Sequence, residues 1–358
     1  MYEYRHGGNV HHEHEGVKFL DFSASINPLG PPPQVEEAIR KAIVQCDRYP
    51  DNRSTELRKH IAAFENVEAG QIFCGGGSSD VIFRLASCVE TRTGLVFRPT
   101  FSDYERALRV CRKEVAYCRL EERRGFVCDD SMLNTVRDAG IVFLCNPNNP
   151  TGLLTERTVI ENLLRRCEKT ETLVVVDECF MDFCQTANET TAKPLLDEFR
   201  NLVVLKAFTK TFALPGIRLG YAICSDPSLI DCLYACGPDW PASCLAQAAG
   251  MAALDNAVEY IAETVAYAAK ERQFVHRELD ELGYTVFDGR ANYVFFKIPC
   301  HFDLKKELDK RWIRLRSFDV ADGLGPEFCR VGLSQHDNNV RLIDAIREVT
   351  RETGGRSC

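Results

Sequence analysis

Ala207-Phe208-Thr209-Lys210-Thr211-Phe212-Ala213-Leu214-Pro215-Gly216-Ile217-Arg218-Leu219-Gly220-Tyr221 decides how this chain is read. The segment sets one lysine after a predicted strand, an arginine eight residues on, and Pro-Gly between them. An amine that is to form an imine must be neutral part of the time, and a fixed cation nearby helps to keep it so. An arginine at that reach also suits a phosphate, whose oxygens its planar fork holds in pairs. Together they point to a ligand with both an aldehyde and a phosphate. Taken alone, the segment fits a surface lysine beside a structural arginine equally well.

The apolar runs that flank the segment, at 202–205 and 219–224, belong to a longer series. Similar runs lie at 71–74, 94–97, 115–118, 140–144 and 173–176, interleaved with helical patterns at 79–88, 104–111 and 156–167, and a further helix follows at 227–235. This alternation predicts an α/β fold with a largely parallel sheet clad by helices. Several runs are solidly apolar, as strands covered on both faces must be. An amphipathic stretch over 257–282, stopped by Gly283, predicts one long helix. Beyond it a β–β–α–β–β–α pattern, at 284–287, 292–297, 304–310, 313–316, 328–333 and 340–350, predicts a smaller α+β domain. The first 45 residues, helical from 35 to 46, are expected to pack with it. The expected division is a large domain over 46–245 and a small one over 1–45 and 246–358.

The composition is that of a soluble globular chain. Its 358 residues are 45% hydrophobic and 27% charged, enough to bury two cores. A formal net charge of −8 argues against a nucleic-acid surface, though a local arginine cluster still serves a phosphorylated ligand. No apolar run approaches the roughly 20 residues of a membrane span, and the start resembles no secretory signal; the cytoplasm is the expected compartment. The 17 cysteines are scattered without a Cys-x-x-Cys pair and read as reduced thiols. His11-His12-Glu13-His14 lacks an identifiable partner ligand, so no metal site is expected.

Ligands of open α/β sheets sit beyond the carboxyl ends of the strands, and four more motifs fall at such ends. Cys74-Gly75-Gly76-Gly77-Ser78-Ser79-Asp80 turns from a strand into a helix whose first N–H groups suit an anion. Arg98-Pro99-Thr100-Phe101-Ser102-Asp103-Tyr104 offers aromatic rings for stacking on a flat heterocycle or for the core. Asn146-Pro147-Asn148-Asn149-Pro150-Thr151-Gly152 is stiffened by two X-Pro units, so Asn149 donates from a fixed position. Asp177 ends the run Val174-Val175-Val176, where a carboxylate needs a cationic or hydrogen-bonding partner. The pyridinium of pyridoxal 5′-phosphate (PLP) is such a cation; capping a turn is the competing role.

In this order and spacing the motifs resemble the fold-type I PLP enzymes, over almost the full chain. Within them the chain is similar to the histidinol-phosphate aminotransferase group, and most to the threonine-phosphate decarboxylases of cobalamin biosynthesis. Three features carry that finer likeness: His6-Gly7-Gly8-Asn9 followed by Asp21-Phe22-Ser23-Ala24-Ser25-Ile26-Asn27-Pro28-Leu29-Gly30; the lysine segment; and Phe180, where the aminotransferases usually carry tyrosine.

The resemblance implies the aspartate aminotransferase-like fold, with a seven-stranded, mainly parallel sheet in an α/β/α large domain. It implies that Lys210 captures the cofactor aldehyde, Asp177 pairs with the ring nitrogen and Asn149 meets the ring oxygen. Gly77, Ser78, Ser79, Thr209 and Arg218 would surround the phosphate, and Phe101 would stack on the ring beside Tyr104. Tyr49, in Arg48-Tyr49-Pro50-Asp51, would reach the cofactor phosphate of a second subunit, which implies a homodimer with shared sites. His6, Gly7, Gly8 and Asn27 would meet a phosphorylated amino-acid substrate, Arg330 its α-carboxylate and Arg316 its phosphate. Ala207, in place of the usual serine or threonine, removes one phosphate hydroxyl, and Gly76 replaces a common asparagine. Transamination of histidinol phosphate, decarboxylation of phosphoserine, or a PLP-fold binding protein are the other functions the likeness leaves open.

Overall fold

The computed structural model describes residues 7–8, 18–136, 139–299 and 302–354; His6 and the His11–His14 run lie outside them. Its strands are β1 (Leu20–Asp21), β2 (Ile72–Gly75), β3 (Thr93–Arg98), β4 (Glu114–Arg119), β5 (Ile141–Cys145), β6 (Leu173–Asp177), β7 (Leu202–Ala207) and β8 (Gly220–Cys224), then β9 (Thr285–Val286), β10 (Tyr293–Lys297), β11 (Ile313–Arg314), β12 (Arg316–Ser317) and β13 (Phe328–Gly332).

A seven-stranded sheet in the order β2-β8-β7-β6-β5-β3-β4 forms the centre of the larger body. β5 shows why its strands are apolar without alternation: Val142 and Leu144 enter one core cluster, Ile141, Phe143 and Cys145 the cluster on the opposite face. Both faces are covered, so every position is selected for burial. β8 alone runs antiparallel to its neighbours β2 and β7. The connection from β7 holds the four-residue helix Phe208–Thr211 and a turn, without the longer covering helix that usually joins parallel neighbours. That short return keeps Lys210 at the carboxyl edge of the sheet, where β2, β3, β5 and β6 also end.

The smaller body has an antiparallel sheet, β12-β13-β10-β9, and a parallel pair, β1-β11. Its core gathers Phe22, Val275, Leu279, Tyr293, Phe296, Val331 and Ile346. Helix Ala257–Glu281 joins the two bodies and ends, as its sequence predicts, where Gly283 takes φ +82, a left-handed cap that L-residues adopt at a cost. Two details depart from expectation. The run at 313–316 divides, because Leu315 turns into the core and leaves β11 to pair with β1 and β12 with β13. Helix Pro33–Ala42 packs on helix Cys244–Leu254, and Val35 joins the core of the large sheet; of the segment before residue 45, β1 and Phe22 join the smaller body.

Candidate active site

The five strand-end motifs open onto one cavity of about 630 Å³ between the large sheet and β12–β13. Ser78, Ser79, Phe101, Tyr104, Asn149, Asp177, Thr209, Lys210, Arg218, Gly7, Gly8, Arg316 and Arg330 all line it.

Lys210 sits in the turn after β7. Burial, then the charges of Arg330 and Arg218, lower its ammonium from the ordinary 10.5 to about 8, against the opposing pull of Cys179 and Asp177. The nitrogen is thus neutral for part of the population near physiological pH, as a nucleophile toward an aldehyde must be. Phe180 lies with its ring centroid 5.7 Å from that nitrogen and packs edge-on against Tyr293.

Asp177 ends β6. Its Oδ2 accepts the Tyr104 hydroxyl at 2.6 Å and its Oδ1 accepts the Cys179 N–H at 3.0 Å. Burial nevertheless raises its proton affinity above the usual aspartate value, outweighing both hydrogen bonds and the charge of Lys210. A cationic ring nitrogen presented to this carboxylate would reverse that penalty. Tyr104 is itself fixed, stacked on Phe143 at 5.1 Å and met edge-on by Phe101 at 5.6 Å.

The Gly-rich turn and the Arg218 segment form one cradle. Gly77 has φ +93, and a Cβ there would stand 2.6 Å from Arg218 Nη2. Gly220 lies equally close: a Cβ on it would come within 2.5 Å of the Ser78 N–H nitrogen. Both glycines let the two backbones and the guanidinium converge at the start of helix Ser78–Cys88, an anion site by charge and by free N–H groups. Gly77 itself does not line the cavity; its role is to leave room for Arg218. Ser79 donates to Asp103 Oδ2 at 2.7 Å, while Gly76 N–H caps Asp80 Oδ2 at 3.0 Å, so the asparagine missing at 76 is not needed to hold the turn.

At the other end, Arg330 donates to Asn149 Oδ1 at 2.5 Å and to the Ser23 carbonyl at 2.8 Å. Because an arginine is only a donor, the first bond fixes the Asn149 amide with its oxygen toward Arg330 and leaves Nδ2 as a donor for a ligand. Burial pushes the Arg330 guanidinium down to about 10, a sign that it lacks a full counter-charge. Arg316 and Arg330 face each other in the register of β12 and β13. Like charges at directly opposed positions of a sheet repel, and a shared anionic ligand relieves the repulsion.

Asn27 is placed differently from expectation. It does not line the cavity; its Nδ2 donates to the Thr211 carbonyl at 2.8 Å and lies 2.9 Å from Tyr260 Oη and 2.8 Å from Thr264 Oγ1, and its N–H meets the Lys210 carbonyl at 3.2 Å. Its amide is consumed in clamping the lysine turn and has nothing left for a substrate. Tyr49 lies outside this chain's own cavity, 76% exposed and stacked on Trp240 at 4.1 Å. The structure also brings in Asp21, Ser23, Asp103 and Asp322, which the sequence did not single out as site residues. Asp21 and Ser23 stood within the quoted amino-terminal stretch, whereas Asp322 carries no local signal. Among the described residues every cysteine is free and no cluster suits a metal ion.

Residues 17–346 match the family described as Aminotransferase class I and II. The chain belongs to that family. It is 33% identical over 357 residues to the threonine-phosphate decarboxylase of Salmonella typhimurium, covering 98% of this chain and 97% of that one. To the histidinol-phosphate aminotransferase of Nitratidesulfovibrio vulgaris (Hildenborough) it is 32% identical, covering 92% and 88%. Among solved structures, the histidinol-phosphate aminotransferase of Clostridium acetobutylicum superposes with a TM-score of 0.87 at 27% identity, over 92% of this chain and 99% of that one. The fold is therefore the aspartate aminotransferase-like one, and the cofactor of this family is PLP. The residues fit it: a lysine of lowered proton affinity, a buried carboxylate in want of a cation, and a glycine-lined cradle under an arginine stand around one cavity.

Proposed function

We propose that the chain decarboxylates L-threonine O-3-phosphate to (R)-1-amino-2-propanol O-2-phosphate and CO2, the reaction that serves cobalamin biosynthesis. The observation that carries this reading is the Arg316–Arg330 pair, which confronts Lys210 with two cations on one rigid sheet. A phosphorylated amino acid brings two anions on a short skeleton; histidinol phosphate brings one. The amino-terminal stretch and Phe180 support the same reading.

PLP, when bound, supplies the electron sink. Asp177 would keep its ring nitrogen charged, Asn149 would donate to the ring oxygen, and Ser78, Ser79, Thr209 and Arg218 would hold its phosphate. Arg330 would hold the α-carboxylate and Arg316 the distal phosphate, with Gly7 and Gly8 lining the same end. Fixing both anionic groups determines which substrate bond is presented for cleavage, an effect of orientation rather than of acid strength. Lys210 Nζ, with a proton affinity near 8, is matched to returning a proton to Cα at neutral pH.

We further infer a homodimer in the cytoplasm. Tyr49, stacked on Trp240, stands exposed with Ile43 and Val44 nearby in the chain; covering them with a second copy would bury apolar area and deliver Tyr49 to the partner's cofactor phosphate.

The near-equal identity to a decarboxylase and an aminotransferase favours one second reading, transamination of histidinol phosphate. Incubating the PLP-loaded protein with threonine phosphate decides between them. Release of CO2 and the phosphorylated amino alcohol is expected. Transfer of the amino group of histidinol phosphate to 2-oxoglutarate without CO2 from threonine phosphate would reverse the assignment.

A further inference from the structure

The two arginines at the distal end of the cavity do not stand alone. Arg316 and Arg330 are accompanied there by Asp21 and Asp322. Asp21 is occupied: its Oδ1 accepts the Ser23 N–H at 2.8 Å and the Ser23 hydroxyl at 2.6 Å. Asp322 is held differently. Its Oδ2 accepts the Asp319 N–H at 3.1 Å in a reciprocal capping box, while its Oδ1 stands 3.7 Å from Arg316 Nη2. That separation makes an ion pair without a direct hydrogen bond, so a carboxylate and a guanidinium lie side by side on the cavity wall.

We propose that Asp322 is a specificity-determining residue that selects a distal group carrying both an anionic oxygen for Arg316 and a hydrogen for Asp322, namely a phosphate monoester that shares one proton with this carboxylate. This rests on the reading that Arg316 meets the substrate phosphate. A fully ionised phosphate would set two negative charges against Asp322, whereas one proton between them converts repulsion into a charge-assisted hydrogen bond. A sulfate ester has the same shape but no proton to share, so the carboxylate would repel it.

The groups that face Asp322 are Arg316, Arg98 and Asp319. Burial raises its proton affinity above the usual aspartate value; Arg316, the Asp319 N–H and Arg98 oppose this, and the charge of Asp319 adds to it, so the carboxyl is inclined to take part in proton sharing. Arg98 is kept close by Gly323, where a Cβ would stand 2.9 Å from the Arg98 side chain.

The test uses 3-(phosphonooxy)butanoate and 3-(sulfooxy)butanoate, which keep the carboxylate and the ester but lack the amine and do not react. Calorimetry on the PLP-loaded protein, in buffers of different ionisation enthalpy, reads affinity and proton uptake together. The phosphate ester should bind tighter on the order of 100-fold. At pH 8 it should take up about one proton, and its affinity should fall about tenfold per pH unit above the phosphate's second pKa of about 6. The sulfate ester should take up none. Asp322→Asn should abolish the uptake and bring the two esters to within about tenfold. Proton uptake by the wild-type protein decides the matter even where the variant does not fold. Equal binding of both esters without uptake would overturn this inference alone; failure of both to bind would overturn the substrate reading with it.

Discussion

Tyr104 donates its hydroxyl to Asp177 Oδ2 at 2.6 Å, and the two residues come from different strand ends, after β3 and at the end of β6. The bond opposes the burial that raises the proton affinity of Asp177. Tyr104→Phe removes the donor and keeps the ring stacked on Phe143. PLP affinity should fall about 10- to 100-fold, the range of a hydrogen bond to a charged group. Dissociation constants from fluorescence titration check this, and an unchanged affinity would show that the bond does not sustain the carboxylate.

Lys210 has its proton affinity lowered to about 8, so the neutral fraction grows as pH rises through that value. The rate at which the apoprotein takes up PLP covalently should rise with a midpoint near pH 8 and then level off, as followed by borohydride trapping and mass spectrometry. Arg330→Gln removes a neighbouring cation, which should move the midpoint upward. A midpoint that stays fixed would mean that burial and Arg218 set it without Arg330.

Arg218 and Arg316 line the same cavity but face different ends of it. Arg218→Ala should weaken PLP by roughly 10-fold or more, with a smaller effect on substrate once the site is saturated. Arg316→Ala should raise the KM for phosphorylated substrates by about 100-fold and leave cofactor retention near wild type. If dialysis strips PLP from both variants alike, the division of roles is mistaken.

Glu65 lies beneath the lysine turn, almost wholly buried. Lys193 meets it at 2.8 Å, Lys206 at 3.2 Å and the Tyr221 hydroxyl at 2.5 Å. Burial alone would raise its carboxyl, but Lys206 and Lys193 override it and hold the group at about 2. The folded pKa is depressed, so this contribution is complete above the ordinary glutamate value near 4.5 and lost as pH falls toward 2. Glu65→Gln should cost about 2–3 kcal/mol at pH 7, because Lys193 and the Tyr221 hydroxyl lose a charged acceptor while Lys206 keeps Asp182 at 2.7 Å. Urea denaturation at pH 7 and pH 3 checks both parts: the gap between variant and wild type should narrow at the lower pH.

Much of the site was legible because its parts are contiguous. The glycine turn at 75–77, Asn149 in its proline-flanked turn, Asp177 at the end of an apolar run and the Lys210 segment each combine a strand end with a chemically committed residue. Asn27 misled for the converse reason. Its stretch marks the family, yet an asparagine has no fixed destination, and only the packed structure shows its amide spent on Thr211, Tyr260 and Thr264. The strand expected at 313–316 divided because pairing partners, not local propensity, decide where a short strand ends.

By itself the sequence determined the alternation of strands and helices in the central sheet, the burial of that sheet on both faces and the strand-end motifs that meet at one cavity, since periodicity and strand-end motifs are local properties. Tertiary structure alone decided that β8 runs antiparallel, that Arg316 opposes Arg330, and that Tyr104 reaches Asp177 73 residues away. Those relationships are set by register and by long-range packing, which no window of neighbouring residues contains.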